Sequence, residues 1–155
     1  PIIKSEALLH NVTVEYNSGV LPEIIADREL LKQVYLNICK NGIEAMSEGG
    51  ILTIRERFSK KDGVVRVEIH DSGPGVPTFL IDKIFDPFFT TKPEGTGLGL
   101  SVCQRIIHDM NGNIKVSSKG YGTTFTISIP VPNSWMSDLR VVLFLTVFVS
   151  EGFIV

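Results

Sequence analysis

The sequence has little of what several specialised classes of protein require. It contains two cysteines, Cys39 and Cys103, without a CxxC pair, so we predict neither a disulfide framework nor a thiolate zinc site. A reducing, cytoplasmic location fits this cysteine content best. Lysine and arginine total 15 against 17 aspartate and glutamate residues, and the resulting net charge of -2 gives no reason to expect binding to nucleic acid or to an anionic membrane.

Long hydrophobic runs are also absent. An apolar run at residues 141–149 has nine residues, whereas a membrane-spanning helix needs about 20, so no span is predicted here. The mean hydropathy is nevertheless +0.21, which is high for a domain with 21% charged residues. The chain starts at Pro1 without a basic segment followed by an apolar run, so we expect no signal peptide and a piece of a longer protein.

What is present indicates one α/β domain, for which 155 residues are sufficient. Hydrophobic periodicity and turn residues define the expected elements. In chain order these are a strand at 10–17, a helix at 28–46 with Asp27 as N-cap, strands at 51–58 and 64–70, a short helix at 79–85, a helix from 98 or 100 to 110, and strands at 113–117 and 123–131. Because βαβ alternation is irregular, we predict a two-layer α/β (α+β) sandwich with a mixed sheet and helices on one face.

Polar residues interrupt the apolar pattern at two places. Asn37 and Asn41 are spaced i, i+4 on the first long helix, with Glu44 three positions on. They are a solvated helix face or, alternatively, amide oxygens for a magnesium ion that is also bound by water and phosphate. Asp71 follows a strand and precedes the glycine turn at 72–75, an arrangement that is usually structural but that also suits a ligand.

A third feature is the glycine-rich string at residues 95–101, which opens the second long helix. A helix start offers free N–H groups and a positive dipole end to phosphates, although the same string also suits a hinge. The GxxxxGK[ST] spacing of a Walker motif is absent, and no predicted strand precedes the string as in a dinucleotide-binding fingerprint. Each of the three features is weak alone.

Together and in this order, the motifs are specific. The sequence resembles the catalytic, ATP-binding domain of sensor histidine kinases, within the wider group that shares the Bergerat ATP-binding fold with gyrase and MutL. The matching strings are NICKNGIEAM at 37–46, DSGPG at 71–75, FDPFFTTK at 85–92, GTGLGL at 95–100 and GTTF at 122–125. The resemblance implies a mixed, mostly antiparallel sheet and a domain at residues 1–131.

The resemblance ends near Val131 and leaves a C-terminal tail, residues 132–155, which contains the apolar run. The tail accounts for roughly the whole positive mean hydropathy. It is compatible with an added edge strand, with a helix packed on the domain, or with sequence that is not native to the protein. An exposed strand there would favour self-association.

The resemblance also implies ATP and Mg²⁺ as cofactors and a role for each motif. Asp71 would accept a hydrogen bond from the adenine amine, Asn41 with Asn37 would hold the magnesium, and residues 73–99 would form a lid over the nucleotide. Thr123 or Thr124 would lie near the floor of the adenine pocket. The nucleotide-binding residues implied are Asn41, Asp71, Gly73, Gly75, Phe85, Thr91, Lys92, Gly95, Thr96, Gly97, Leu98, Gly99, Leu100, Thr123 and Thr124.

The phosphates need positive charge or N–H groups around them. Some family members carry a lysine three positions after the magnesium-binding asparagine, where this sequence has Glu44. We therefore expect Lys92 of the lid to meet the terminal phosphate as a catalytic residue, with Lys40 as the second choice. An ion pair with Glu44 on the helix surface is the better interpretation of Lys40.

The residue at position 37 distinguishes hydrolysis from transfer. Hydrolases of this fold, such as gyrase, carry a glutamate base there, and the amide of Asn37 cannot remove a proton from water. We therefore expect a protein-histidine kinase of a two-component system that transfers the γ-phosphoryl group to a histidine on a separate dimerisation domain, and indirectly to a response regulator. The alternatives are a nucleotide-sensing interaction module and a serine kinase of the anti-sigma-factor type. The phenylalanine-rich string at 85–92 favours the histidine kinase.

Overall fold

The computed structural model describes residues 2–132, so the apolar tail lies outside the described residues. These residues form four helices and five strands. The elements are α1 (Ile2–Leu9), β1 (Val12–Ser18), α2 (Arg28–Ala45), β2 (Gly50–Ser59), β3 (Val64–Asp71), α3 (Thr78–Ile81), α4 (Gly99–Asp109), β4 (Asn113–Ser117) and β5 (Thr123–Pro130).

The strands form one five-stranded sheet in the order β1-β2-β3-β5-β4. β1 and β2 are parallel, with α2 as the crossover between them, and the other pairs are antiparallel. Alternate residues of the strands are buried, and these form one core with the apolar faces of α2 and α4. The mixed, mostly antiparallel two-layer sandwich is therefore confirmed.

The long helix α2 begins where the sequence predicts. The Asp27 side chain accepts a hydrogen bond of 3.0 Å from the Leu30 N–H, which satisfies one of the unpaired donors of the first turn. Its apolar stripe is buried against the sheet, and its polar residues are left on the opposite flank. The buried residues of α2 are Leu31, Val34, Tyr35, Ile38, Cys39, Gly42 and Ile43.

The N-terminal helix α1 has no counterpart among the predicted elements. It has eight residues, of which Ile3 and Ala7 are buried. Two apolar contacts over two turns do not define a 3.6-residue period, and an isolated helix of this length is marginal in water. Packing on the rest of the domain therefore stabilises α1.

The predicted helix at 79–85 is wrong in its extent. The helix α3 covers only Thr78–Ile81. The chain then continues through turns in which Lys83 N–H donates to Leu80 O and Asp86 N–H donates to Lys83 O, at 2.9 and 3.0 Å. Pro87 disfavours the helical conformation at Asp86, and an α-helix is not maintained.

A buried polar cluster joins α2 to the first two strands. The carboxylate of Glu56 is completely buried and accepts hydrogen bonds from the hydroxyl groups of Tyr16, at 2.7 Å, and of Tyr35. Burial and the neighbouring Glu56 carboxylate raise the pKa of both tyrosines well above the ordinary value. The cluster connects the helix layer to the sheet through these hydrogen bonds and lies outside the motifs that the sequence singles out.

Candidate functional site

The polar residues of α2 lie on a half-buried flank of the helix. Asn37 and Asn41 are both partly buried, one helical turn apart. The Asn37 amide donates a long hydrogen bond of 3.5 Å to the carbonyl of Gly99, the first residue of α4. The structure therefore brings the first asparagine of the sequence motif to the end of the glycine-rich string at residues 95–101.

Asp71 ends β3 beside the same flank. Its side chain is 5% exposed, and Oδ1 accepts a hydrogen bond of 3.0 Å from the Gly73 N–H. Burial raises the pKa of this carboxyl above its ordinary value, and the hydrogen bond from Gly73 opposes that shift. A buried carboxylate with only part of its hydrogen-bonding capacity used is suited to accept a donor from a ligand.

Gly42 brings α2 close to Asp71. A Cβ added at Gly42 would lie 3.2 Å from the Asp71 Cβ and 3.0 Å from Cδ1 of Leu52, both tighter than usual contacts. Glycine lowers helix stability at this position by about 1 kcal/mol relative to alanine. The missing side chain therefore allows α2, which carries Asn37 and Asn41, to pack close to the buried Asp71.

The two threonines of the last motif lie on opposite faces of the sheet. Thr123 is opposite Asp71 in the register of β3 and β5 and is buried with it. Thr124 is opposite His70, and its hydroxyl lies 2.9 Å from His70 Nδ1 on the other face. This geometry favours Thr123 over Thr124 as the residue beside the Asp71 pocket.

Ser118 connects the glycine turn after β3 to the turn between β4 and β5. Its hydroxyl oxygen accepts from the Val76 N–H at 2.9 Å and donates to the carbonyl of Gly122 at 2.7 Å. Gly122 in turn donates its N–H to the carbonyl of Gly73 at 2.7 Å. Sequence reasoning missed Ser118, because nothing in the motifs on either side indicates that the two turns meet.

Two contacts hold the segment that contains the phenylalanine-rich string at residues 85–92, which belongs to the predicted lid. Phe85 packs edge-to-face on Phe125 of β5, with 6.2 Å between the ring centroids. Phe88, which has a positive φ of 67°, donates its N–H to the carbonyl of Gly97 at 2.9 Å. Residues 88–97 therefore form a closed loop, and Thr91, Gly95 and Thr96 are exposed on it.

Lys92 connects that loop to α2. Its Nζ lies 3.3 Å from Asn41 Oδ1 and also donates to the carboxylate of Glu44. Lys40, on the helix surface, lies 3.9 Å from the same carboxylate, which is the ion pair that the sequence predicts. A cation therefore already contacts the amide oxygen that was predicted to bind a metal.

The amide oxygen atoms of the site suit a magnesium ion that takes most of its ligands from water and phosphate. Among residues 2–132, no three histidine, cysteine, aspartate or glutamate side chains cluster in a way that would hold a metal. Asn37 and Asn41 would thus provide one or two amide oxygens, with water and phosphate as the remaining ligands. The contact of Asn41 Oδ1 with the Lys92 ammonium shows that this oxygen is directed toward positive charge.

Comparison with known families identifies this arrangement. Residues 26–133 match the model of the histidine kinase-, DNA gyrase B-, and HSP90-like ATPase family, which is more than half of the chain. The chain belongs to this ATPase family. The ATP-binding domain that the motifs indicate is therefore established, and the site above is the part of the domain where those motifs converge.

Within the family, the similarity is to sensor histidine kinases. The chain is 50% identical to the signal transduction histidine-protein kinase AtoS of Escherichia coli over 112 residues, which is 72% of this chain and 18% of AtoS. It is 42% identical to sporulation kinase D of Bacillus subtilis over 137 residues, which is 86% of this chain and 27% of that kinase. The chain thus spans less than a third of the length of these two relatives.

A solved structure of similar extent confirms the fold. The catalytic domain of histidine kinase ThkA, in a nucleotide-free form, matches with a TM-score of 0.75 and 37% identity, over 83% of this chain and 85% of that domain. The chain is therefore a catalytic domain of the histidine kinase type. No helix in residues 2–132 is long and apolar enough to cross a membrane.

Proposed function

We propose that this ATPase-family domain transfers the γ-phosphoryl group of ATP to a histidine on a separate dimerisation domain, as part of a cytoplasmic two-component signalling pathway that ends on a response regulator. The observation that carries the proposal is the amide of Asn37, which lies against the start of α4. Hydrolases of this fold carry a glutamate base at position 37. An amide forms hydrogen bonds but does not accept a proton, so it does not activate water for hydrolysis.

Adenine recognition is assigned to Asp71. When ionised, its carboxylate accepts hydrogen bonds only, so it would pair with the exocyclic amine of adenine and disfavour guanine, which presents a carbonyl there. Gly73, Gly75 and Thr123 would line the base, since the hydrogen bonds of the two glycine turns hold this backbone next to the carboxylate. Specificity thus depends on the buried end of β3.

Phosphate positioning is assigned to α2 and the lid. Asn41, with Asn37, would hold a magnesium ion, which would supply positive charge to neutralise the phosphates. The N–H groups of residues 95–100 at the start of α4 would face the phosphates. Lys92, which already lies at Asn41 Oδ1, would meet the terminal phosphate and stabilise the charge that develops during transfer.

Transfer can be tested directly with radiolabelled ATP. The chain is mixed with Mg²⁺, ATP labelled at the γ position and a separately prepared dimerisation domain of a sensor histidine kinase. We expect label on the dimerisation domain that is lost in acid and kept in alkali, because phosphohistidine has this stability. A variant of the dimerisation domain with its acceptor histidine replaced by glutamine serves as the control and should remain unlabelled.

Two outcomes would contradict the proposal. Acid-stable label on a serine would indicate a serine kinase of the same fold. Intact ATP binding without transfer to several dimerisation domains would indicate a nucleotide-sensing interaction module.

A further inference from the structure

The contact between Lys92 and Glu44 joins two residues 48 positions apart and links the lid to α2. Glu44 stands one helical turn after Asn41, so both side chains project from the same flank of the helix. The Lys92 ammonium donates to both of them. Lys40 contacts the same carboxylate from the helix surface, but at the longer distance of 3.9 Å.

We propose that Glu44 is a positioning residue that holds the Lys92 ammonium beside Asn41, where the lysine meets the terminal phosphate of bound ATP. The inference rests on the phosphate role of Lys92 in the proposed function and adds to it the residue that directs the lysine. Glu44 itself touches neither nucleotide nor magnesium in this proposal.

The chemistry of the two side chains supports this division of roles. A lysine ammonium has three donors, so Lys92 can keep its contact with Glu44 while it donates to a phosphate oxygen. Lys92 lies on a loop and has four rotatable bonds, and both features disfavour a fixed position without a partner. Protein kinases solve the same problem with an ion pair between a helix glutamate and the lysine that contacts the phosphates.

The charge balance of the site gives a further reason. A glutamate without its lysine would place a negative charge beside the phosphates, and like charges at such distances repel. The Glu44–Lys92 pair removes this repulsion and directs the positive end of the pair to Asn41. The Glu44 charge is thereby balanced in a nucleotide site mainly by Lys92, because Lys40 lies at the longer distance of 3.9 Å.

The test compares the affinities of ADP and of a non-hydrolysable ATP analogue, both with Mg²⁺, by calorimetry on the full chain. We expect Lys92→Met to reduce the preference for the ATP analogue about tenfold, the size of one charge-assisted hydrogen bond, with ADP affinity changed by less than about twofold. Glu44→Gln should reduce the same preference by a similar factor. The double variant should lose no more than Lys92→Met alone, because the two residues act as a unit.

Two further variants distinguish positioning from a structural role. Glu44→Asp keeps the carboxylate and should restore part of the preference for the ATP analogue. Glu29→Gln removes the carboxylate of an exposed ion pair with Lys32 on the same helix, 3.5 Å long, and should leave the preference unchanged. Melting temperatures of all the variants should stay within a few degrees of the original, since the Glu44–Lys92 pair is partly exposed.

Failure of this inference is distinguishable from failure of the proposed function. If Lys92→Met lowers the preference while Glu44→Gln leaves it unchanged or makes binding tighter, the positioning role is overturned and the phosphate contact of Lys92 stands. If Lys92→Met has no effect on the preference, the phosphate contact itself is wrong and the positioning role falls with it.

Discussion

At the scale of single residues, the site combines groups that favour binding with groups that cost stability. Asp71 is buried at the end of β3, and burial raises its pKa because the ionised form is poorly solvated there. The folded domain therefore holds this proton more tightly than the unfolded chain, and the free energy of unfolding falls as the pH rises from the ordinary aspartate pKa through the raised one. In the proposed function, a ligand that donates a hydrogen bond to this carboxylate would offset the cost.

Replacement of Asp71 by asparagine tests this explanation. Asp71→Asn keeps an oxygen that can accept from the Gly73 N–H. It replaces the other carboxylate oxygen by an amide NH2 group, which would face the exocyclic amine of adenine. We expect ADP affinity in calorimetry to fall by about 100-fold or more, because a donor then faces a donor in a buried place. The melting temperature at neutral pH should not fall substantially, since the poorly solvated charge is removed.

The matched control is Asp62→Asn in the exposed turn between β2 and β3. Asp62 accepts hydrogen bonds from Ser59 and Arg66, which hold the pKa of its carboxyl below the ordinary value. This variant should bind ADP as the original chain does. Equal affinities for the Asp71→Asn variant and the original chain would refute the assigned adenine pocket.

The sequence allowed some site residues to be predicted and left others hidden. Asn41 and Asp71 could be singled out because their strings, each weak alone, occur together with three further motifs in the order of the histidine kinase domain. Ser118 and Val76 are 42 positions apart, and their hydrogen bond depends on how the turn after β3 meets the turn between β4 and β5. Non-local contacts of this kind leave no local pattern, so sequence reasoning could not find them.

At the scale of elements, the predicted lid depends on backbone conformations that are strained for most residues. Gly97 has a positive φ of 70°, and a Cβ added there would lie 2.3 Å from the carbonyl carbon of Phe88. Side-chain rotation cannot relieve a clash with backbone. The turn between Phe88 and Gly97 therefore exists because glycine occupies position 97.

Gly97→Ala should open the loop at residues 88–97. We expect a loss of affinity for ADP of about tenfold in calorimetry, because the lid then has to be ordered again at binding. The melting temperature should change little, since most of the loop is exposed and contributes few buried contacts.

Gly63→Ala provides the comparison. Gly63 also has a positive φ of 63°, in the turn between β2 and β3, but a Cβ there meets no atom within 4 Å. Both variants are destabilised by about 1 kcal/mol because alanine is strained in the left-handed conformation. Only Gly97→Ala adds a clash with the backbone of Phe88. Equal ADP affinities for the two variants would show that the loop does not contribute to nucleotide binding.

The secondary structure was predictable where amphipathic patterns are long. α2 and α4 each present an apolar stripe over several turns, and alternation is clear in the four strands that follow α2. The parallel pairing of β1 with β2 was not predicted as such, because strand order depends on packing between layers. The helix α1 is too short to show a period.

At the scale of the whole molecule, one core joins the sheet to α1, α2 and α4 and carries several groups that ionise only with difficulty. Burial raises the pKa of the Cys103 thiol to about 11 and that of Cys39 still further. Burial and the Glu56 carboxylate raise the pKa of Tyr16 and Tyr35. All four residues are thus bound to their protons more tightly in the folded state than in the unfolded chain.

This proton binding predicts alkaline unfolding. In the unfolded chain, cysteine ionises at about pH 8.5 and tyrosine at about pH 10, whereas in the folded domain these four groups keep their protons to higher pH. The folded state therefore binds more protons than the unfolded state above about pH 8.5, and the free energy of unfolding must fall as the pH rises. Below that pH, the contribution of these groups is fully present. Denaturant unfolding at a series of pH values measures the slope.

Tyr35→Phe separates the tyrosine part of this slope from the rest. Above about pH 10 the variant should lose stability less steeply than the original chain, by up to about 1.4 kcal/mol per pH unit, because one titrating group is gone. At neutral pH it should be less stable by about 1 to 3 kcal/mol, since the buried Glu56 carboxylate loses a donor.

Tyr121→Phe, at a tyrosine that is 91% exposed, is the matched control and should change neither value. An unchanged slope in Tyr35→Phe would mean that this hydroxyl reaches water before the domain unfolds, and that the core opens locally between α2 and the sheet.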